Sequence, residues 1–128
     1  MPGIRLNLLV LRSARPEQSV RFYTAFGLSF EREQHGYGPE HFSATLGSLI
    51  LEIYPRRSVD DSTAATRLGF QVEALDPLLG RLREWDGALL SGPEDSPWGR
   101  RAVIKDPDGH RIELVEVGAM ISLEAERQ

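Results

Sequence analysis

The sequence has 128 residues, 41% of them hydrophobic and 27% charged, with a formal net charge of −4 and no cysteine. That length accommodates one ordinary domain with a sizeable core and leaves no room for a second full one. The 15 Lys and Arg residues are scattered rather than gathered into a stripe that would track phosphates, so no nucleic-acid partner is expected. Without cysteine there is no disulfide framework, thiolate site or cysteine nucleophile, and any metal must be held by His, Asp or Glu.

The N-terminal apolar run is interrupted by Arg5 and Asn7 and is too short for a signal-peptide core or a membrane span, which makes a cytoplasmic protein without a membrane partner the expectation. Residues 4–12 (IRLNLLVLR) predict a strand, ended by Ser13, Ala14 and Arg15. Pro16 suits the first turn of a helix near 16–26, in which Val20, Tyr23 and Phe26 recur at helical spacing until Gly27 stops it. A short strand over 28–33 leads into a Gly-rich loop at 34–40. HFSATL at 41–46 and LILEIY at 49–54 then form a hairpin closed by Gly47-Ser48.

After a polar linker at 55–66 the same order recurs. RLGFQV at 67–72 is a strand, and a helix near 76–86 follows with Asp76 as N-cap, Pro77 at its first position and Leu78, Leu79, Leu82 and Trp85 as its buried stripe. Gly87 is the stop. A strand at 88–91, a loop containing Pro93 and Pro97, a strand near 100–105, the turn DPDG and a strand at 110–117 complete the series. The expected fold is therefore α+β, with two βαβββ modules at about 4–55 and 66–117 in a single domain over 1–128. The tail at 118–128 has the pattern of a short helix.

Side chains alternate across a strand, so each strand divides into two faces. Leu6, Leu8 and Val10 oppose Arg5, Asn7 and Leu9; Phe42, Ala44 and Leu46 oppose His41, Ser43 and Thr45; Leu49, Leu51 and Ile53 oppose Ile50, Glu52 and Tyr54. In the second module Leu68, Phe70 and Val72 oppose Arg67, Gly69 and Gln71, and Ile112 and Leu114 oppose Arg111, Glu113 and Val115. Each wholly apolar face is expected to pack on a helix, where it gains its burial free energy. The mixed faces either coat the solvated side of a sheet or line a cleft, and polar groups contributed by five strands favour a cleft. Closing the hairpin at Gly47-Ser48 pairs Ser43 with Glu52 and His41 with Tyr54, leaving His41 diagonal to Glu52.

QSVRFYTAFGLSF resembles the first-helix signature of the glyoxalase/bleomycin-resistance/extradiol-dioxygenase superfamily, the vicinal oxygen chelate fold. LILEIYP resembles its fourth strand, RLGFQVEALD the start of its second module and KDPDGHRIELVEV its final hairpin, so the likeness covers about 4–117. The resemblance implies modules that each curl into half a barrel around a cleft, with helices on the outer face and a second subunit often completing the site. In metal-dependent members it implies a divalent ion held by one residue from the first and last strand of each module. Glu52 and Glu113 match the two carboxylate positions and are the catalytic candidates. The second-module partner position holds Arg67, which has no acceptor and stays protonated. The first-module position is Asn7 if one gap is allowed and Leu8 if none is, and the facing argument favours Asn7. Half the set is missing, and Arg67 is expected to replace the metal's charge by pairing with Glu113 or Glu52. No metal is then expected at the usual four positions and no cofactor is needed; a divalent metal, if held, has Glu52, Glu113, Asn7 and His41 as its candidates. His35 lies in the Gly-rich loop at the expected cleft mouth, His110 follows a tight turn and is expected in solvent, and DPDG is a turn former without chemistry.

The function these residues point to is a small-molecule-binding protein of this fold with a degenerate metal site. Asn7, His41, Ser43, Tyr54, Arg67, Gln71, Trp98 and Arg111 are its ligand contacts, and the two arginines favour a carboxylate or phosphate. The alternative is a lyase, isomerase or dioxygenase, with a remodelled metal site or with Glu52 as general base and Arg67 stabilising an enolate. A homodimer is expected, since curled half-barrels leave strand edges to be covered.

Overall fold

The computed structural model describes residues 3–117, and its elements run twice through the order strand, helix, three strands. The first module comprises β1 (Leu8–Ser13), α1 (Pro16–Ala25), β2 (Glu31–Glu33), β3 (His41–Leu46) and β4 (Leu49–Pro55). The second comprises β5 (Arg67–Val72), α2 (Leu75–Arg81), β6 (Leu89–Ser96), β7 (Gly99–Lys105) and β8 (Arg111–Glu116). Each module makes its own four-stranded mixed sheet, in the orders β1-β4-β3-β2 and β5-β8-β7-β6, with the first strand parallel to the last and the other pairs antiparallel. The two compact units divide between Ala64 and Ala65, inside the polar stretch expected to be a linker.

In the first module α1 buries Ser19, Phe22, Tyr23 and Phe26, a stripe at i, i+3, i+4 and i+7 that packs on β4, β1 and β3. Phe22 stands edge-on to Tyr23 and Phe26, and the buried Ser19 hydroxyl meets that of Ser13 at 3.0 Å. Beneath them lie Leu11, Ala44, Leu51 and Ile53, each at most 2% exposed. Fully burying a side chain of the Leu, Ile or Phe class stabilises by about 1.5–3 kcal/mol, so this layer fixes which face of the sheet is inside.

The faces of β3, β4, β5 and β8 are those read from the sequence, and Leu46 pairs with Leu49 across the two-residue Gly47-Ser48 turn. For β1 the expectation is corrected. The strand begins at Leu8, Leu6 and Leu8 are 70% and 48% exposed, and Leu9, Leu11 and Ser13 form the helix-facing side. Leucines occupy both parities of this segment, so alternation alone has no unique solution; parallel pairing of Leu9 with Leu51 and Leu11 with Ile53 resolves it.

In the second module α2 is shorter than expected and Asp76 is not its cap. The N–H of Leu75 donates to the Glu116 carboxylate at 2.7 Å, while Asp76 lies 3.3 Å from the Arg100 guanidinium. Beyond Arg81 the backbone continues in tight turns, with Leu82 N–H donating to Leu79 O and Trp85 N–H to Leu82 O; these keep Leu82 buried without prolonging the α-helix. The loop expected around Pro93 is instead part of β6, whose pairing with β7 shifts register between Leu89 and Ser91 and between Ser91 and Glu94. An edge strand tolerates the missing N–H of a proline at such an irregularity. The expected tail helix lies outside the described residues.

Candidate functional site

On the face of the first sheet away from α1, register brings together Val10 and Arg12 from β1, Glu52 and Tyr54 from β4, His41 and Ser43 from β3 and Glu33 from β2. His41 is the pivot. It is 1% exposed although it lies on the polar face, because the Tyr54 ring stacks on it with centroids 4.1 Å apart and planes 8° from parallel. The Arg12 guanidinium carbon lies 5.1 Å from the Tyr54 ring centroid, and Arg12 is itself held by its N–H to Thr63 Oγ1 at 2.9 Å and its guanidinium to Pro55 O at 3.4 Å.

The His41 ring nitrogens have different surroundings. Nδ1 lies 3.2 Å from the carbonyl of Pro39, which accepts only, so Nδ1 carries a proton. Nε2 is 3.3 Å from Glu33 Oε1 and 3.5 Å from Glu52 Oε2, yet among the described residues no partner sits where a hydrogen bond to it would be aligned. His35 adds a further nitrogen, with Nε2 3.8 Å from Glu33 Oε1 and its ring 5.0 Å from that of His41. One ligand atom from each of Glu33, His35, His41 and Glu52 lies within 4.8 Å of every other. Burial, then the charges of Glu52 and Glu33, push the Tyr54 phenol above its ordinary value against the opposing pull of Arg12.

In the second module Arg67 and Arg111 are register partners, both exposed, on the face they share with Gly69, Glu113, Gln71 and Val115. The expected pairing of Arg67 with Glu113 is corrected: Glu113 Oε1 is 2.8 Å from Arg101 Nη2, and among the described residues Arg67 forms no ion pair. Arg101 reaches Glu113 from β7, a strand to which the sequence reading assigned no function. His110, expected in solvent, is 1% exposed and bonded through Nδ1 to Asp106 Oδ2 at 2.8 Å. Trp98 is 67% exposed in the turn between β6 and β7. A depression of about 460 Å³ lies on the helix side of this module between α2 and β6, lined by Leu79, Leu82, Trp85 and Leu89 among others and by none of the expected site residues.

The sequence model of the Glyoxalase/Bleomycin resistance protein/Dioxygenase superfamily matches residues 5–114. The chain belongs to that superfamily. Among solved structures, it is similar to TnmS3, an antibiotic binding protein from Streptomyces sp. CB03234, with TM-score 0.73 and 24% identity over 92% of this chain and 99% of that one. It is also similar to hypothetical protein SA1046 from S. aureus, with TM-score 0.70 and 20% identity over 91% and 98% of the two chains. TioX from Micromonospora sp. ML1 gives TM-score 0.67 and 19% identity over 86% and 96%. No curated protein sequence matches.

For this glyoxalase-superfamily chain, register selects between the two candidates for the first-strand metal position. Leu8 pairs with Ile50 and so shares the parity of Val10 and Glu52, whereas Asn7 has the opposite parity, is exposed, and accepts at its carbonyl from Ile50 N–H at 2.9 Å. Leu8, and not Asn7, therefore shares the face of Val10 and Glu52. His41, Ser43, Glu52 and Tyr54 are brought together as expected from the hairpin. Glu33 was missed as a member of the group, and His35 was placed only at the cleft mouth. Pairing β2 with β3 would have found Glu33, since it is the register partner of His41, but a three-residue strand leaves little pattern from which to assign a register.

Proposed function

We propose that this protein binds a small anionic molecule without transforming it, and that the four family metal positions do not form a working metal site. The observation that carries this reading is the content of those positions: Leu8 and Arg67 offer no ligand atom, and Glu113 is already neutralised by Arg101 at 2.8 Å. Arg67 and Arg111, adjacent and exposed, supply two guanidiniums for a carboxylate or phosphate, and Gln71 on the same face supplies an amide. The first module by itself presents the Tyr54 ring, stacked on the buried His41, with Ser43 on the same face. The printed description of TnmS3 as an antibiotic binding protein agrees with a binding role on this fold.

Calorimetric titration with a panel of small carboxylates and phosphates tests the reading. A ligand should bind and be recovered unchanged, and the double change Arg67→Ala with Arg111→Ala should weaken it on the order of 10–100-fold, the loss of two charge-assisted contacts. Conversion of the ligand, or affinity indifferent to both arginines, would overturn it in favour of the lyase, isomerase or dioxygenase alternative, for which Glu52 beside His41 is the available base. We further propose a homodimer, because β1 and β2 end one sheet and β5 and β6 the other. Sedimentation at micromolar concentration showing only monomer would contradict it.

A further inference from the structure

We propose that Glu33, His41 and Glu52, with His35 as the fourth ligand, form a site for a divalent ion of the zinc class that lies entirely within the first module and is distinct from the four family positions. It shares Glu52 with those positions and takes nothing else from them. The proposal goes beyond the ligand-binding reading and does not depend on it.

Its basis is the unsatisfied valence of His41. Nδ1 is committed as a donor to Pro39 O at 3.2 Å, which in the neutral ring leaves Nε2 with a lone pair, and that lone pair faces Glu33 Oε1 at 3.3 Å and Glu52 Oε2 at 3.5 Å. Three acceptors so placed, one of them buried and without a hydrogen bond, repel unless a cation stands among them. A proton on Nε2 is one such cation and a metal ion is the other. Geometry favours the metal, since neither carboxylate is aligned to accept from Nε2. Ligands at about 2.0–2.1 Å around a tetrahedral ion lie roughly 3.3–3.5 Å from each other. The two His41 separations fall in that range and the His35 to Glu33 separation, 3.8 Å, lies just outside it.

The surroundings support the same reading. A carbonyl that fixes the far nitrogen of a ligating histidine is the usual outer partner of a metal-bound imidazole. The loop carrying His35 is shaped for its role: Gly36 takes φ +60°, Gln34 donates its side-chain amide to Gly38 O at 2.8 Å, and Gly38 N–H donates to His35 O at 3.0 Å. Two imidazoles with two carboxylates suit zinc, cobalt or nickel rather than calcium or magnesium, which prefer oxygen throughout. Two negative charges also balance a doubly charged ion.

The full chain, stripped with chelator and dialysed, should take up one equivalent of Zn²⁺ in competition with a chromophoric chelator, and Co²⁺ in its place should show the intense visible bands of four-coordination. Glu33→Gln, at a partly exposed position, should weaken uptake on the order of 100-fold, and the exposed His35→Ala about tenfold, both with unchanged circular dichroism. Glu113→Gln should leave uptake within about twofold of wild type, since that carboxylate belongs to the other module's ion pair. Absence of stoichiometric uptake would overturn the proposal. Uptake insensitive to Glu33→Gln, or as sensitive to Glu113→Gln, would also overturn it by moving the ion elsewhere.

Discussion

Each module buries one histidine to 1% exposure, and the two are satisfied in opposite ways. His110 closes a structural knot: its Nδ1 lies 2.8 Å from Asp106 Oδ2, while Asp106 Oδ1 accepts from the N–H groups of Asp108 and His110 at 2.9 and 3.0 Å. His41 has its Nδ1 tied to a carbonyl and its Nε2 open toward two carboxylates. Burial alone therefore does not distinguish the environments of the two histidines. What separates them is whether the ring nitrogen facing a carboxylate is hydrogen-bonded to it: His110 Nδ1 is, and His41 Nε2 is not. The same contrast extends to the carboxylates, since Glu113 is charge-paired by Arg101 whereas Glu52 has only His41 within ion-pair distance among the described residues.

The largest effect that would sharpen this contrast is on stability. Asp106→Ala leaves a buried imidazole and two N–H groups without their acceptor, and unfolding by urea should show a loss of about 3–5 kcal/mol with metal uptake by the refolded protein unchanged. A loss below about 1 kcal/mol would break the distinction between the two histidines. Next in size is Arg101→Ala. Its pair with Glu113 is partly exposed, so the same measurement should show a loss of no more than about 1 kcal/mol, reduced further by salt. A substantially greater loss would mean that the second module's sheet face is held by that pair rather than by packing.

The smallest effect concerns Asp61, whose carboxyl is held below its usual value by bonds from the Arg57 guanidinium and N–H, with Arg12 adding a weaker pull at 3.8 Å. A depressed folded-state value means that the unfolded chain binds the proton more readily. The contribution of Asp61 is therefore present above the ordinary carboxylate value near 3.8 and is lost as pH falls through the folded-state value. Denaturation midpoints measured from pH 6 downward should fall less steeply for Asp61→Asn than for wild type. Identical slopes would show that the loop restraining Arg12 gains nothing from this charge.

The fold and half of the first module's site were legible where local rules agreed. The alternation of HFSATL and LILEIY on either side of a two-residue turn admits one register, and that register puts Ser43 beside Glu52 and His41 under Tyr54. β1 was not legible, because leucine on both parities lets either face be the buried one until β4 is placed beside it. α2 was overextended because Leu82 and Trp85 keep helical spacing through turns that are no longer α-helical. His110 was misplaced because D-P-D-G reads as a surface turn from composition, whereas the Asp106 carboxylate folds the turn inward around the imidazole. Glu33 and His35 depend on a three-residue strand and a loop, and tertiary pairing alone brings them to His41.

The two-residue turn at Gly47-Ser48 makes the first module's core and its polar face two phases of one message. Leu51 and Ile53 are read on one side of β4 and Glu52 and Tyr54 on the other, with Gly47 at φ +60° setting where the reading starts. A single inserted residue in that turn would shift the phase, sending a carboxylate and a phenol under α1 and two aliphatic side chains out beside His41. Length changes here are therefore closed to drift, and new specificity in this sheet must arise by substitution at fixed positions.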